Sequence, residues 1–490
     1  MAAAAASRET HISQIFFTAD RAYKLLKPVH MSFLDLSDRE QRLAAARREL
    51  DLNRRIAPDV YLGLGDLHEH GELVDHLVIM RRMPDDRRLS DLLRSGADTD
   101  DHLRSIARTV AVFHAGLQPI TDDDSIATAA ATRARWMDNV VNIERSVGPV
   151  IDADPFERAR DLALRYIDAN PMLFASRIAG GFVRDGHGDL IADDIFCLDD
   201  GPRILDCLAF RDDFRIGDVL SDIAFLVMDV HRLAGAEPGR RLMGWYQEYA
   251  NEHHPSSLAH HYVAYRAHVR TKVACLAHEQ GGRDQVALAR EYHALALGHL
   301  ELARGRLVLV GGAPGVGKST LSSRLGEMFH IPTLVTDVIR KDLAGVAHDD
   351  HRPSGLGSGL YTPEMTDRVY RELLRQADLL LTSGESAILD ASWTSDEHRR
   401  RARNLARRHD AELIQIECTL DPDETRHRIR RRTSRGDDPS DATVAVAEQM
   451  AARRDPWPEA TVVSTEGTID QVSTRVRTIL DDHDEPPEGP

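Results

Sequence analysis

The chain changes its hydrophobic pattern about three fifths of the way along. In its first part, strand-like runs at residues 12–18 and 22–26, parted by Ala19-Asp20-Arg21, predict a β-hairpin. Residues 38–56 then place Leu43, Leu50 and Ile56 among apolar positions at helical spacing. Two more strand-like stretches follow, 60–63 and 77–80, the second ending in Arg81-Arg82-Met83-Pro84. Residues 99–118 and 127–169 read as helical, and so does the chain from 222 to about 299. From Arg306 onward, short apolar runs at 307–310, 333–336, 387–389, 413–418 and 461–464 alternate with helical stretches, which predicts a parallel five-stranded α/β sheet.

One stretch turns this pattern into chemistry. Residues 306–329, RLVLVGGAPGVGKSTLSSRLGEMF, pass from a buried-strand run through a glycine turn into a helix whose Leu321, Leu325 and Met328 share a face. Gly312, Gly317, Lys318 and Ser319 fill the spacing G-x-x-x-x-G-K-[ST]. Together with Ala313, Pro314, Gly315, Val316 and Thr320 they make a phosphate-binding loop, because glycines let successive N–H groups point inward beside a helix N-terminus. Lys318 is expected to reach the β- and γ-phosphates of ATP, and the Ser319 hydroxyl to ligate Mg²⁺.

Composition narrows the rest. With 490 residues and 42% apolar content the chain can build more than one core. A net charge of −17 argues against a general nucleic-acid or anionic-membrane binder. Cys197, Cys207, Cys275 and Cys418 are far apart and form no C-x-x-C pair, so neither a disulfide framework nor a zinc site is expected. No signal peptide or membrane-length apolar run is read, and the expected compartment is cytoplasmic.

The first part has a chemistry of its own. Strand, strand, helix, strand, strand is the order of a kinase small lobe, in which a strand lysine pairs with a helix glutamate; Lys24 and Glu49 are the candidates. Downstream, His187-Gly188-Asp189-Leu190 is followed by Asp194 and then by Ile204-Leu205-Asp206. Phosphoryl transfer needs a carboxylate near the attacking hydroxyl, the task of Asp189, and oxygen ligands for metal, the task of Asp194 and Asp206. Arg266 and Arg270 share a helix face and could meet an anionic ligand or this acidic loop; a solvated helix face is the commoner reading of such a row. His114 reads as a packing residue.

The HGDL-x-x-x-D loop, the ILD strand end and the DVLSDIAFLVMD helix resemble the aminoglycoside phosphotransferase family, whose loop is H-G-D-x-x-x-x-N. With a P-loop domain downstream, the chain resembles the bacterial fusion family of bifunctional aminoglycoside phosphotransferase/ATP-binding proteins. The resemblance implies that Asp189 is the catalytic aspartate, Asp206 a metal ligand and Lys24 the nucleotide lysine. Asp194 stands where the family has asparagine, and Thr18-Ala19-Asp20 where a glycine-rich loop is expected.

In the last part, Asp337 follows the 333–336 run and Arg340 comes one turn later, placing a base and a substrate-orienting cation at the mouth of the sheet. An N-cap role for Asp337, on a helix starting at Val338, is the alternative. Asp390 ends the 387–389 run at the Walker B position for Mg²⁺. Arg428, Arg431, Arg432 and Arg435 could close over phosphate as a lid, or form a solvated basic face. This part resembles small P-loop kinases related to polynucleotide, gluconate and zeta-toxin kinases, through Asp337-x-x-Arg340 and RGDDPSDA at 435–442.

The expected organisation is a kinase-like α+β domain at 1–298, a P-loop α/β domain at 299–480 and a disordered acidic tail at 481–490. The expected reaction is transfer of the γ-phosphoryl group of Mg·ATP to a small-molecule hydroxyl. Two alternatives remain open: a pseudokinase sensor that gates a P-loop ATPase, and a polynucleotide 5′-hydroxyl kinase.

Overall fold

The first long helix, Arg39–Asn53, starts where Asp38 accepts from the Glu40 amide and Gln41 accepts from the Asp38 amide, a reciprocal cap. Its buried face carries Arg42, Ala46, Glu49, Leu50 and Asn53, so three of its five inward residues are polar and need partners. Arg42 finds one in Asp75, 2.8 Å away. The computed structural model that shows this describes residues 6–10, 12–31, 34–121, 127–282, 285–329, 331–347, 361–435 and 444–481. Contacts divide the chain into two units, one of residues 1–160, 174–254 and 261–296, the other of 161–173, 255–260 and 297–490.

In the first unit an antiparallel sheet has the order Ala6–Glu9, Ser13–Phe17, Arg21–Leu26, Glu72–Arg81, Tyr61–Glu69. The edge strand Ala6–Glu9 was not expected; its sequence ASRE is exposed throughout and carries no apolar signal. The helix Arg39–Asn53 packs on this sheet, where Ala46 and Leu50 join Ala22, Leu26, Tyr61, Val78 and Met80 in one core. The expected hairpin is present, closed by the Thr18 amide on the Arg21 carbonyl at 2.9 Å.

The expected helix over 127–169 is two helices, Ala129–Ile143 and Ala153–Ala169. A 3-10 turn at Glu144–Ser146 and Gly148, at φ +90°, separate them, because Gly148-Pro149 cannot continue an α-helix. The chain from 222 to 299 likewise divides into Val219–Ala234, Ala236–Ala250, Ser256–Glu279 and Gln285–Leu302.

The second unit holds a sheet of five parallel strands in the order Thr333–Val335, Ala387–Asp390, Arg306–Gly311, Glu412–Thr419, Thr461–Ser464. Its central strand is buried on both faces, which is why it reads as an unbroken apolar run. Leu307 and Leu309 pack with Leu373, Leu389 and Trp393, while Val308 and Val310 pack with Leu321, Leu325, Ile416 and Val463. This period-two division ends both cores at the same edge, where the glycine turn begins. Among the described residues no helix is long and apolar enough to cross a membrane.

Three buried histidines of the first unit make its stability pH-dependent. Trp136 donates to His261 at 3.2 Å and stacks on His268, neither of whose ring nitrogens has a hydrogen-bond partner among the described residues. Burial lowers His261 and His268 from 6.5 to about 3, and His293 to about 4. Each stays neutral in the fold while the unfolded chain takes up a proton, so its stabilisation is complete above pH 6.5 and is lost as pH falls toward the folded value. Urea denaturation at pH 7 and pH 5 should show a loss about 2 kcal/mol smaller in His268→Phe than in the parent. Equal losses in both would contradict a neutral buried His268.

Candidate functional site

Burying a lysine in the small-lobe sheet requires counter-charge, and two carboxylates supply it. Lys24 Nζ lies 2.8 Å from Glu49 Oε1 and 2.9 Å from Asp206 Oδ1. Register places Lys24 opposite Val78 on the central strands, and the buried face of helix Arg39–Asn53 delivers Glu49 to it. Burial alone would depress Lys24, but Asp206 and Glu49 hold the ammonium well above its ordinary range. Lys24 in turn holds Asp206 below the usual carboxylate range. The candidates Lys24, Glu49 and Asp206 thus share one cluster, and Asp206 adopts φ +62°, a conformation uncommon outside glycine.

The catalytic-loop candidates come next. Burial raises Asp189 to about 6, opposed by Arg270 and reinforced by Asp206. Burial, then the charges of Asp206 and Asp189, push Asp194 well above its ordinary range. Of the readings of the basic helix face, Arg266 takes the loop: it donates to the Gly188 carbonyl at 3.3 Å and the Ser221 carbonyl at 3.0 Å.

The residue that shapes this loop carried no signal as a site in the sequence. Asp222, buried in helix Val219–Ala234, accepts from the His187 amide at 2.7 Å and the Gly188 amide at 2.8 Å. It also accepts from His114 Nε2 at 3.1 Å, which leaves Nδ1 to accept the Tyr246 hydroxyl at 2.8 Å. His114 is therefore part of the scaffold under the loop. Arg55 holds the preceding turn through the Asp185 and Gly186 carbonyls, both at 2.8 Å.

In the second unit, Gly312, Gly315 and Gly317 take φ of +137°, +87° and +93° between the strand Arg306–Gly311 and the helix Lys318–Phe329. A Cβ on Gly312 would stand 2.6 Å from the Cys418 carbonyl oxygen, and one on Gly315 2.6 Å from Ile429 Cγ1, so both positions exclude side chains. Ala313, Pro314 and Val316 complete the turn; Lys318 is half-buried at its end, and Ser319 and Thr320 are exposed. The turn is pinned by Gly312 N on the Ser392 carbonyl at 3.4 Å and by the Thr465 hydroxyl on the Val316 carbonyl. Asp390 is buried beside it, in register with Val310 and Val335.

Asp337 is not an N-cap. The helix Thr336–Ala344 is capped at Val335 without a side-chain bond, and Asp337 lies in its first turn, 3.7 Å from Arg340. Arg340 is buried, with its guanidinium over the Tyr361 ring. Of the lid arginines, Arg428 faces the turn: a Cβ on Gly317 would stand 3.4 Å from its Nη1, and it donates to the Thr465 carbonyl at 3.4 Å. Arg431 is exposed on the same helix, Pro422–Arg435. The side chains of Arg432 and Arg435, the RGDDPSDA loop after Arg435, and residues 482–490 of the acidic tail lie outside the described residues. Sequence reasoning missed Ser392 and Thr465, which touch the turn only through the fold.

These fits set the likenesses to known proteins in context. A family model described as an AAA domain matches residues 307–457, the span that begins at the central strand. The uncharacterized protein Mb2027c of Mycobacterium bovis is 36% identical over 461 residues, 94% of this chain and 92% of its own. The chain belongs to the family of this mycobacterial protein. Its later part carries the P-loop domain, and its first part resembles aminoglycoside phosphotransferases. Among solved structures, a sugar kinase from Janibacter sp. HTCC2649 is similar over 36% of this chain and 95% of its own, at 17% identity and TM-score 0.28. The GDP and kanamycin complex of APH(2″)-IIIa is similar over 59% of this chain and 91% of its own, at 14% identity and TM-score 0.37. At scores this low, neither likeness says anything of ligand or reaction.

Replacing Asp222 with alanine would strand two buried loop amides. Asp222→Ala should lower the stability of the first unit by about 3 kcal/mol, with a smaller loss for Asp222→Asn, which keeps one acceptor oxygen. Thermal melting of the full chain checks this, and identical melting of both variants and the parent would contradict the bonding described.

Proposed function

We propose that the P-loop domain is an ATP-dependent phosphotransferase acting on a hydroxyl of a small molecule, and that the kinase-like domain is a second nucleotide site. The observation that carries the reading is the turn Gly312–Gly317, where Gly312, Gly315 and Gly317 take positive φ and Gly312 and Gly315 leave no room for a side chain, set beside buried Asp390. Backbone amides of such a turn suit a polyphosphate, and Lys318 follows where the β- and γ-phosphates would lie. Ser319 and Asp390 would hold Mg²⁺, which when bound neutralises charge on the phosphates. In the second unit Asp337 accepts the proton of the acceptor hydroxyl. The freed oxygen forms a bond to the γ-phosphorus, the bond from that phosphorus to the bridging oxygen breaks, and ADP leaves. Arg340 orients the acceptor, while Lys318 and the lid arginines Arg428 and Arg431 stabilise the developing charge.

In the kinase-like domain the corresponding parts are Lys24 and Glu49 for the nucleotide, Asp194 and Asp206 for Mg²⁺, and Asp189 as base toward an acceptor hydroxyl. A sensor reading of this half, binding nucleotide without transfer, is favoured by the tight Thr18–Arg21 turn in place of a glycine loop. Single-turnover transfer to any acceptor with the P-loop silenced would discriminate against it.

The main reading is tested in the full chain with Lys24→Ala silencing the first site. That protein should bind one equivalent of Mg·ATP in calorimetry, and adding Lys318→Ala should weaken this binding by at least about a hundredfold and abolish ADP release in a screen of hydroxyl compounds. Undiminished binding after the second substitution would overturn the assignment.

A further inference from the structure

The segment that presents Asp206 makes four successive backbone bonds, and they alternate in origin in an informative way. The Leu205 amide donates to the Asp194 carbonyl at 3.0 Å, and the Leu208 amide to the His187 carbonyl at 3.0 Å. These outer two bonds tie the segment to the loop carrying Asp189. The inner two go to side chains of the small lobe. The Asp206 amide donates to the Tyr61 hydroxyl at 3.1 Å, and the Cys207 amide to Asn53 Oδ1 at 2.8 Å. Both partners are buried, Tyr61 at 1% exposure and Asn53 at 0%, so water cannot substitute for either.

Neither side chain is there for packing alone. Asn53 is the last residue of its helix's inward row, four residues after Glu49 and three after Leu50, and its Nδ2 donates back to the Glu49 carbonyl at 2.9 Å. One side chain therefore fixes both the turn of helix that carries Glu49 and the amide after Asp206. Tyr61 begins the strand Tyr61–Glu69, and its ring lies in the small-lobe core while its hydroxyl emerges at the cluster. The geometry matters because Asp206 sits at φ +62°, where an aspartate stays only if its neighbours fix it. If the two inner bonds were lost, the carboxylate would be held only by Lys24, a flexible partner.

We propose that Tyr61 and Asn53 are positioning residues that fix the backbone of Asp206, so that its carboxylate is aimed by the same helix and strand that aim Glu49 and Lys24. This rests on the reading of the kinase-like domain as a metal-nucleotide site, with Asp206 as a metal ligand. Outer partners of a ligand set its orientation, and their removal weakens metal binding more than it weakens the fold. The two bonds also explain how the pairing of Lys24 with Glu49 and the placement of Asp206 can be set together, by a single rigid body of sheet, helix and loop.

The test uses the full chain with Lys318→Ala, so that nucleotide bound at the P-loop does not mask the signal. Binding of ATP and of GTP is measured by calorimetry over a series of Mg²⁺ concentrations and in EDTA. Tyr61→Phe, which keeps the ring, and Asn53→Ala should each raise the Mg²⁺ concentration for half-maximal binding roughly tenfold, with binding in EDTA unchanged. Variants that match the parent at every Mg²⁺ concentration would overturn the inference, and so would a loss of the same factor with and without Mg²⁺, the mark of a merely structural role. A parent that binds neither nucleotide with Mg²⁺ would overturn the reading of the domain and the inference together. Tyr61→Phe decides the matter alone if Asn53→Ala fails to fold.

Discussion

One ammonium shared by two carboxylates is the interaction on which the kinase-like half depends. Lys24, drawn into the sheet by its strand, is tolerable there only because Glu49 and Asp206 both reach it. Those partners come from a helix and from a loop more than 150 residues further on, so the pair requires the lobe to be folded before it can form. Removing any one of the three would leave a charge short of its counter-charge, which costs more than the pair itself contributes. That asymmetry explains the density of polar support around them. Asn53 braces the turn of Glu49, Tyr61 the amide of Asp206, and Asp222 the amides of His187 and Gly188.

The P-loop half, under the proposed reading, would meet a phosphate by another route. Three positions of its turn, Gly312, Gly315 and Gly317, take a positive φ that suits glycine, and the turn is crowded by Cys418 on one side and Ile429 on the other. The strand before it is apolar on both faces because two separate cores need it. The glycines, the strand and the helix Lys318–Phe329 thus constrain one another: a larger residue at Gly315 would push on the Pro422–Arg435 helix that brings Arg428 to Gly317.

Legibility followed from how far in sequence each feature reaches. The P-loop was legible because its spacing, strand and helix are contiguous, and the five parallel strands because each carries a short apolar run, although the edge strands Thr333–Val335 and Thr461–Ser464 are only partly covered. Lys24 and Glu49 could be named from the order of elements, although their contact lies 25 residues apart. Asp222, Asn53, Tyr61, Ser392 and Thr465 were silent, since a lone polar residue in a helix or strand gains meaning only from what folds against it. The strand Ala6–Glu9 was missed because an exposed edge needs no apolar pattern. Amphipathic spacing resumes beyond Gly148-Pro149 and hides the break there, and Asp337 reads as a possible cap because the helix begins two residues earlier than its sequence suggests.

Under the proposed reading, the two halves would use opposite means toward one kind of ligand. In the first, the groups proposed for phosphate and metal are side chains whose mutual charges hold them in place, with Lys24 on Asp206 at 2.9 Å. A nucleotide carrying its cation would have to exchange that contact for its own, and the energy of the internal ion pair is subtracted from the binding. In the second, the backbone turn is already in place and its shape does not depend on counter-charge within the protein, so little has to be exchanged. Affinity in the first half should therefore depend on the cation far more steeply than in the second, because there the cation alone gives Asp206 a partner to replace Lys24.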